Sequence, residues 1–480
     1  MEISKEINDK KIIAALILLQ LAVTLPFITS YPIDLDEPFS IFYAQQDISE
    51  FVPFLEQGNN PPFHFVLLHY WIKLFGVSSF SVRSLSLFFS VLSIPVLYQF
   101  GKKIVEQNFT ILLAGFFIFS SYLHFHAIEA RGYSMLVFFV LLAINDLYNL
   151  IFLNQKIFYR LAVWNALLLY AHYLGAFIFV GELILFAFFY KQVTSIKLKY
   201  FVFALLITLS LYSPKLIQFF NRIKNFQNKG TWVQKPHWSE LYGNILKFFN
   251  FTPTFIITFS LLLIGFFIFR KSAIQNIKNK VLKPKYLFVF VVFGMYYFGM
   301  YIISLVIQPV FLDRYLLFTI PFLYLSLIIV LKLIIGEKVK NYYLAIFLIP
   351  MIISCYYIPN TNRDGDEIAK YAKSKSTQKT LITICPPFYD LTFIYHFDLE
   401  IFKDYKNYEQ LKLENNIQSI YSFEDIKINT DIENILFVDA HSDFLFLGNN
   451  IKSELDKNYT FIDKKEFKGD YSVYEYKIND

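Results

Sequence analysis

Long apolar runs separated by short polar loops dominate the chain up to residue 358. Many runs are near 20 residues, the length at which a helix crosses about 30 Å of hydrocarbon. Because lipid offers the backbone no hydrogen-bond partners, each run should be helical. The pattern predicts about eleven spans, at roughly 12–29, 82–101, 108–125, 133–153, 159–173, 174–190, 200–219, 253–269, 286–307, 314–334 and 341–358.

Two polar segments near the N-terminus frame the first span. Residues 1–11 are polar and lysine-bearing, and no small-residue cleavage site follows the run after them, so we interpret the first span as a retained anchor. The segment 31–80 is too polar to span and too aromatic for a plain linker. Short amphipathic helices at the membrane interface fit it best, which predicts a first external loop.

After residue 358 the composition changes abruptly to Lys, Asp, Glu and Asn. Asp366–Ser374 has the pattern of an amphipathic helix, Thr380–Cys385 and Ile435–Val438 that of buried strands, and Tyr459–Ile478 that of a hairpin. We therefore predict a mainly α protein. Residues 1–358 form a polytopic transmembrane helical bundle, and residues 359–480 form a small α/β domain.

The distribution of charge orients this bundle. Only 17% of residues are charged, against about 25% in soluble domains. With an odd number of spans the Lys/Arg clusters fall on one face, which the positive-inside rule makes cytoplasmic. The N-terminus then lies inside, and the loop 31–80, the turn 124–131 and the C-terminal domain lie outside the cell (inner) membrane. The basic segment 220–252 is the exception.

Charge and cysteine content also bear on partners. The net charge of +6 is spread over loops that flank spans, so it is better explained by membrane topology than by nucleic-acid binding. Cys355 falls in an apolar run and Cys385 in the tail. We therefore expect no structural disulfide.

Three carboxylates, Asp34, Asp36 and Glu37, follow the first span directly. Adjacent carboxylates at a membrane surface can act as a general base or hold a divalent cation. An ordinary acidic loop is the alternative interpretation. No further motif fixes metal dependence, so a divalent metal at these carboxylates stays an open alternative.

A second group of polar residues lies in the predicted turn before the span at 133–153, where Glu129 and Arg131 follow two histidines. A guanidinium at this position could bind a phosphate in bidentate fashion. The alternative is that Glu129 and Arg131 simply pair with each other. Charges at the mouth of a membrane bundle are costly and are usually functional.

Two further positions combine charge with aromatic neighbours. His172 lies inside an apolar run, where an interhelical hydrogen bond is the ordinary interpretation and a ligand contact the sharper one. Arg314 and Tyr315 open a later span. Arg314 is either an interfacial anchor or a second phosphate contact.

The order of these pieces resembles one family. Asp36-Glu37 is followed by Asn60-Pro61-Pro62, Trp71, Phe75-Gly76 and Ser81-Val82-Arg83, then by Glu129-Ala-Arg131-Gly-Tyr133, Ala171-His172-Tyr173 and Arg314-Tyr315. The series covers roughly residues 12–335. It is similar to the C-type superfamily of polytopic membrane glycosyltransferases, in the branch of protein O-mannosyltransferases and lipid A aminoarabinose transferases.

The resemblance implies a transferase that moves a sugar from a polyprenyl-phosphate donor to an acceptor hydroxyl on the outer face of the membrane. The acceptor would be a lipid, a glycan or a protein. The family's acidic base maps onto Asp36, with Glu37 beside it and Glu129 as a further candidate. Arg131 and Arg314 would bind the donor phosphate, with His172 and Tyr315 as neighbours.

One departure and three rival hypotheses qualify this interpretation. Aminoarabinose-transferase relatives place a basic residue in the stretch where this chain has Asn60-Pro61-Pro62, so one phosphate contact of those relatives is missing and the donor is expected to differ. A polytopic transporter or lipid flippase is the rival from another class, and it would show ionisable residues near mid-span and often repeated halves. A non-catalytic assembly factor is a further hypothesis. Among enzymes, a ligase or polymerase of surface glycan is the nearest competitor.

Overall fold

The computed structural model describes residues 2–34, 36–57, 60–153, 156–229, 233–336, 341–356, 364–445 and 448–479. For residues 2–7, 222–229, 341–342 and 444–445 it describes the backbone but not the side chains. The membrane part contains helices α1 Glu2–Thr24, α2 Glu37–Gln45, α3 Ile48–Gln57, α4 Pro62–Phe75, α5 Ser79–Ile104, α6 Gln107–Ile118, α7 Ser121–Ala127, α8 Tyr133–Phe152, α9 Phe158–Ala171, α10 Leu174–Phe188, α11 Ser195–Lys229, α12 Ser239–Phe248, α13 Thr252–Ile268, α14 Arg270–Lys280, α15 Pro284–Val306, α16 Ile320–Ile335 and α17 Asn341–Ser354. Asp313–Thr319 is a 3₁₀ helix that leads into α16.

Helices cover the predicted apolar segments within these residues, which confirms a mainly α architecture. Six of the described helices are long and apolar enough to cross a membrane, or up to eight if each of two bent helix pairs is one span. These helices mark a multi-pass membrane protein. The number of eleven spans and their orientation stay predictions. The segment 31–80 contains the short helices α2, α3 and α4, as its amphipathic pattern predicted.

Two compact units divide the described chain. The first consists of 1–26, 54–64 and 83–358, and the second of 27–53, 65–82 and 359–480. The second unit thus joins parts of the segment 31–80 to the C-terminal tail, a grouping that a single boundary at residue 358 does not express.

The first unit is built around two strongly buried helices. Within the most apolar window of each candidate span, 89% of residues are buried for Tyr133–Phe152 and 83% for Asp313–Ile335, against 22% for Ser195–Asn221. Helix α9 packs against α8 and α11, and α16 packs against α6, α14 and α15. Residues at the N-terminal ends of α8 and α16 are therefore held by the best-packed part of the bundle.

Two breaks in the helices of this unit are joined by one side chain. Helices α6 and α7 meet at 61°, and α12 and α13 meet at 82°. Asn250 lies at the second break, where its φ of 53° is in the left-handed region that asparagine tolerates better than most residues. Its amide nitrogen donates to Phe119 O at 2.9 Å, and its amide oxygen accepts from Ser121 N at 2.7 Å. The side chain therefore satisfies backbone groups that the first break leaves without helical partners.

The second unit contains a five-stranded sheet in the order β2-β1-β3-β5-β4. Its strands are β1 Thr380–Cys385, β2 Ile417–Ser419, β3 Asn434–Ala440, β4 Thr460–Phe467 and β5 Tyr471–Lys477, and the helices of the tail are α18 Gly365–Lys375, α19 Asp390–Phe397, α20 Leu399–Lys403, α21 Tyr408–Glu414, α22 Ser442–Leu445 and α23 Ile451–Asn458. Strand β1 runs parallel to β2 and β3, whereas β5 is antiparallel to β3 and β4.

The elements predicted for the tail are present with nearly the predicted bounds. Strand β1 is buried along its whole length, as its unbroken apolar run indicated. Strands β4 and β5 form the closing hairpin. The short strand β2 and the helices α19 to α23 were not predicted, because each is short and half polar.

Segments 27–53 and 65–82 are tied to the tail by specific contacts within the second unit. Helix α19 packs against α2. The Tyr395 hydroxyl donates to Val77 O at 3.0 Å, and His396 Nε2 donates to Ile33 O at 2.7 Å. The helix that carries Glu37 is thus anchored by the C-terminal domain.

Candidate functional site

The turn between α7 and α8 holds a buried acid–histidine pair. Glu129 is 7% exposed, and its Oε2 accepts from His126 Nδ1 at 2.6 Å. The Ser134 hydroxyl donates to His126 O at 2.9 Å, which fixes the last turn of α7 against the first turn of α8. The sequence predicted Glu129 as a candidate acid, with an ion pair between Glu129 and Arg131 as the alternative. In the structure the Glu129 carboxylate is bonded to His126.

Arg131 is positioned from both sides of its backbone. Its amide donates to Glu129 O at 2.7 Å, and its carbonyl accepts from the Ser86 hydroxyl of α5 at 2.9 Å. The half-buried guanidinium reaches towards Asn60, with Nη2 3.4 Å from Oδ1. The side chain is therefore directed by three separate segments of the first unit.

His64 packs against the residue that follows Arg131. A Cβ atom at Gly132 would lie 3.3 Å from His64 Cβ, so glycine lets this histidine approach the turn closely. Burial and the neighbouring Arg131 guanidinium lower the pKa of His64 to about 3. The imidazole is therefore neutral at physiological pH and does not compete with Arg131 for an anion.

The segment before α16 carries the second arginine. Asp313 Oδ1 accepts from Arg314 N at 2.8 Å, which opens the 3₁₀ helix, and Asp313 Oδ2 accepts from Lys247 Nζ at 2.6 Å. Tyr122 also hydrogen-bonds the Asp313 carboxylate. The Arg314 guanidinium carbon lies 5.8 Å from the centre of the Tyr315 ring. Asp313 thus holds the backbone of Arg314 while its carboxylate is bonded to other side chains.

His172 and Tyr315 meet between these two arginines. The His172 ring lies 5.5 Å from the Tyr315 ring, and Tyr133 lies 6.4 Å from His172 and 6.5 Å from Tyr315, measured between ring centres. His172 is within electrostatic range of both Arg131 and Arg314. The structure therefore brings four residues predicted to contact phosphate into one cluster, here called the arginine cluster: Arg131, His172, Arg314 and Tyr315.

The backbone around His172 fixes its tautomer. Helix α9 ends at Ala171, and α10 begins at Leu174, whose amide donates to His172 Nδ1 at 3.1 Å. A ring nitrogen that accepts a hydrogen bond carries no proton, so Nε2 is the N–H donor of the neutral ring. The ordinary interpretation of His172 was an interhelical hydrogen bond. The bond observed is instead a local one between the ring and the backbone amide of Leu174.

Helix N-termini add to the positive potential of the cluster. Arg131 lies two residues before α8, and Arg314 lies in the 3₁₀ turn before α16. Each helix presents the positive end of its dipole there, where unsatisfied amides favour anions. Two guanidiniums, a neutral histidine donor and two helix starts form a site that suits an anion such as a phosphate.

Asp36 and Glu37 belong to the second unit, at the start of α2. Asp36 is the N-cap residue of this helix, and its carbonyl accepts from Ser40 N at 3.2 Å. Glu37 is 4% exposed and Asp34 is 9% exposed, and both lie where the helix dipole favours carboxylates. Among the residues described by the structure, no group of three or more His, Cys, Asp or Glu side chains is arranged to hold a metal.

Two buried acids inside the apolar helices were missed from the sequence. Asp146 of α8 is fully buried and accepts from Arg160 Nη2 at 3.1 Å and Trp164 Nε1 at 3.0 Å. Glu182 of α10 is also fully buried and accepts from Asn165 Nδ2 at 2.6 Å. Both lie within predicted spans, where an ionisable residue is itself a signal that could have found them.

The basic segment 220–252 is only partly described, because 230–232 and the side chains of 222–229 lie outside the described residues. Lys247 of this segment pairs with Asp313, next to the second arginine. From its basic residues we predict that the segment helps to recruit an anionic donor at the membrane surface.

Known structures with the same fold include two of ArnT, a lipid A aminoarabinose transferase, from Cupriavidus metallidurans. The apo structure is 10% identical, with a TM-score of 0.58 over 96% of this chain and 98% of that one. The structure bound to undecaprenyl phosphate gives the same identity and TM-score over 97% of each chain. No family profile and no curated protein sequence matches the chain. The resemblance found in the sequence is thus confirmed at the level of the fold.

Proposed function

We propose that this protein is a membrane glycosyltransferase that moves a sugar from a polyprenyl-phosphate donor to an acceptor hydroxyl. The observation that carries the proposal is the arginine cluster, which gathers Arg131, His172 and Arg314 within an ArnT-like fold. One of the ArnT structures with this fold holds undecaprenyl phosphate. The chemistry of the cluster suits such a phosphate.

In this proposal the arginine cluster binds the donor phosphate and stabilises it as it leaves. Charge builds up on the phosphate when the bond to the sugar breaks, and fixed donors in a site of low dielectric stabilise that charge strongly. The planar guanidiniums of Arg131 and Arg314 can each give two parallel hydrogen bonds to phosphate oxygens. His172 adds its Nε2–H, and Tyr315 supports Arg314 through its ring.

The base is proposed from the resemblance to be Asp36, with Glu37 and Glu129 as alternatives. The carboxylate takes the proton of the acceptor hydroxyl, whose oxygen attacks the anomeric carbon of the sugar. The bond between that carbon and the phosphate oxygen breaks, and the electron pair leaves with the polyprenyl phosphate. A hydroxyl is a weak nucleophile unless a base lies within hydrogen-bond reach. Glu129 ranks below Asp36, because the resemblance maps the family's base onto Asp36.

The partners proposed are the polyprenyl-phosphate sugar, membrane lipid, and an acceptor lipid, glycan or protein. The protein is placed in the cell (inner) membrane, with the site and the C-terminal domain on the extracytoplasmic side, on the strength of the Lys/Arg distribution. The divalent metal suggested for Asp34, Asp36 and Glu37 is not part of this proposal, because among the described residues no such group of carboxylates is arranged to hold one. Loss of activity with EDTA and recovery with Mg²⁺ or Mn²⁺ would support the metal, and full activity in EDTA would exclude it.

The test is transfer of labelled sugar from membrane-extracted polyprenyl-phosphate donors by purified protein. We expect wild-type activity that disappears in Asp36→Asn while the thermal melt is unchanged. Activity that survives Asp36→Asn would move the base to Glu37 or Glu129, which Glu37→Gln and Glu129→Gln then separate. No donor consumption by folded wild-type protein across a broad lipid extract would contradict the proposal.

A transporter or flippase is the second candidate, and Glu182 is the observation that favours it. An ionisable side chain buried inside an apolar helix is typical of ion-coupled transport. The two candidates differ in what Glu182→Gln should do. A transferase keeps its activity, because the amide retains the hydrogen-bonding shape beside Asn165, whereas an ion-coupled transporter loses uptake in proteoliposomes.

A further inference from the structure

A cleft in the first unit opens beside the arginine cluster. It is open to solvent, with an internal cavity of about 40 Å³, so a ligand would lie against its walls without being enclosed by them. It lies between the 54–64 segment, the C-terminal end of α9 and the middle of α11. Two of its lining residues directly follow members of the site in the chain: Tyr173 follows His172, and Pro61 follows Asn60, the residue that Arg131 contacts. The cleft therefore adjoins His172 and Asn60 along the chain.

One wall of the cleft is aromatic. Tyr170 and Tyr212 meet edge to face with ring centres 5.1 Å apart, and Phe219 lies 6.4 Å beyond Tyr212. The Tyr170 hydroxyl donates to Leu211 O at 3.1 Å, which fixes its ring against α11. Tyrosine rings combine an apolar face with a polar edge. Such a wall suits the C–H face of a sugar ring and the hydroxyls around it.

Helix α11 also brings a compensated set of polar groups to this wall, on the same helix as Tyr212 and Phe219. The Lys215 ammonium pairs with the Glu56 carboxylate, and Gln218 Nε2 donates to the same carboxylate at 2.9 Å. Both members of the ion pair are partly buried, with side chains 29% and 16% exposed. Their charges cancel, so the wall offers hydrogen bonds but no net charge.

A charged sugar would fit this wall poorly. An ammonium on the sugar would compete with Lys215 for Glu56, and a carboxylate on the sugar would compete with Glu56 for Lys215. In either case one buried charge of the cleft loses its partner, which is costly away from bulk water. A neutral polyhydroxylated ring disturbs neither, because its hydroxyls both donate and accept.

We propose that this cleft binds a neutral sugar ring of the substrate and so selects against amino sugars and uronic acids. The inference rests on the proposed function, since it takes the phosphate of the donor to lie at the arginine cluster. The bound ring is either the transferred sugar of the donor or a sugar of the acceptor. Both sources present the same chemistry to Tyr170, Tyr212 and the Glu56–Lys215 pair.

The first test measures binding without catalysis. Saturation-transfer NMR on the full chain in nanodiscs compares methyl glucoside, methyl 4-amino-4-deoxyarabinoside and methyl glucuronide. Wild type should favour the neutral glycoside. Lys215→Met leaves Glu56 uncompensated and should shift preference towards the amino sugar by about tenfold, whereas Glu56→Gln should shift it towards the glucuronide by a similar factor.

The matched control is Lys199→Met, which removes a lysine from an exposed position on the same helix α11. It should leave the order of preference unchanged. Wild-type binding that favours a charged glycoside, or an order of preference that neither Lys215→Met nor Glu56→Gln alters, would overturn the inference. Because this assay needs no turnover, its result does not depend on whether transfer is observed.

A second measurement separates the two sources of the sugar and the two proposals. With an active donor and acceptor, Lys215→Met should raise one KM about tenfold. A raised donor KM assigns the cleft to the transferred sugar, and a raised acceptor KM assigns it to the acceptor. Transfer with both KM values unchanged would overturn the cleft inference and leave the proposed function standing. Glycoside binding that shifts as expected, in a protein without transferase activity, would support the cleft inference and contradict the proposed function.

Discussion

The two ends of helix α8 carry polar clusters of opposite character. At its C-terminal end the Asp146 carboxylate accepts from Asn145, Asn149, Arg160 and Trp164, at 3.0–3.3 Å. Lys103 closes this network by donating to the side-chain oxygens of both asparagines. At its N-terminal end the half-buried guanidinium of Arg131 lies beside aromatic rings, a neutral histidine and a second arginine.

The difference separates a structural network from the proposed phosphate site. Around Asp146 one acid is surrounded by donors in fixed positions, so the network holds helices together and has no capacity for a ligand. Around Arg131 two guanidiniums from separate segments meet a neutral histidine from a third, a pattern that suits a binding partner of negative charge. Burial alone would not distinguish the two ends, but the kind of charge does: the acid at one end is paired with Arg160, whereas the other end gathers two guanidiniums.

The largest effect is expected from Arg131→Ala. In the proposed function this guanidinium stabilises the leaving phosphate, so its removal should lower the transfer rate by about a hundred- to a thousandfold. The thermal melt should stay close to that of wild type, because the side chain is only half buried. The measurement is initial transfer rate and melt on the same preparation.

Arg160→Ala is the matched control at the other end of α8. It removes an arginine whose side chain is 42% exposed and which binds Asp146. We expect nearly full activity with a slightly lower melting temperature. If both arginine variants lost activity equally, the distinction between the two ends of α8 would be wrong.

Asp146→Ala should have the largest effect on stability. Its removal leaves the donors of Trp164 and Asn149 without their buried acceptor, which should lower the free energy of unfolding by about 3 kcal/mol. Activity per folded molecule should stay near the wild-type value. Asp146→Asn keeps one carbonyl acceptor, so its free energy of unfolding should lie between those of wild type and Asp146→Ala. A stable but inactive Asp146→Ala protein would assign this network a part in catalysis.

His64 predicts how stability changes with pH. Its pKa is about 3 in the folded protein because of burial and Arg131, against about 6.5 in the unfolded chain. The unfolded state therefore binds more protons below pH 6.5, and stability falls as the pH is lowered towards 3, by at most about 1.4 kcal/mol per pH unit. The effect should be absent in His64→Gln, measured as the difference between the melting temperatures at pH 7 and pH 5. Equal acid sensitivity of the two proteins would contradict the assignment.

The sequence was sufficient for the apolar helices and for the predicted helix and strands of the tail. It also singled out the four residues that the structure brings together in the arginine cluster, whose role stays a prediction. These depend on local patterns, namely apolar runs, strand periodicity and the order of short motifs. The pairing of Glu129 with His126 depends on the geometry of one turn. The joining of two helix breaks by Asn250 depends on contacts between segments more than 100 residues apart. Neither can be predicted from a local pattern. Asp146 and Glu182 were visible as ionisable residues in spans, but their partners Arg160 and Asn165 were not.

The smallest effect is expected at Asn60, which sharpens the account of how Arg131 is positioned. The contact between Asn60 Oδ1 and Arg131 Nη2 is long, at 3.4 Å, so Asn60→Ala should change the donor KM by only about threefold. Asn60→Asp places a negative charge at the same distance, where it competes with the phosphate for the guanidinium. That variant should raise the donor KM by about tenfold at low salt and by less as added salt screens the charge. If Asn60→Ala raised the donor KM more than Asn60→Asp does, Asn60 would act by holding the Arg131 side chain in place. It would then not act through the local charge at the phosphate site.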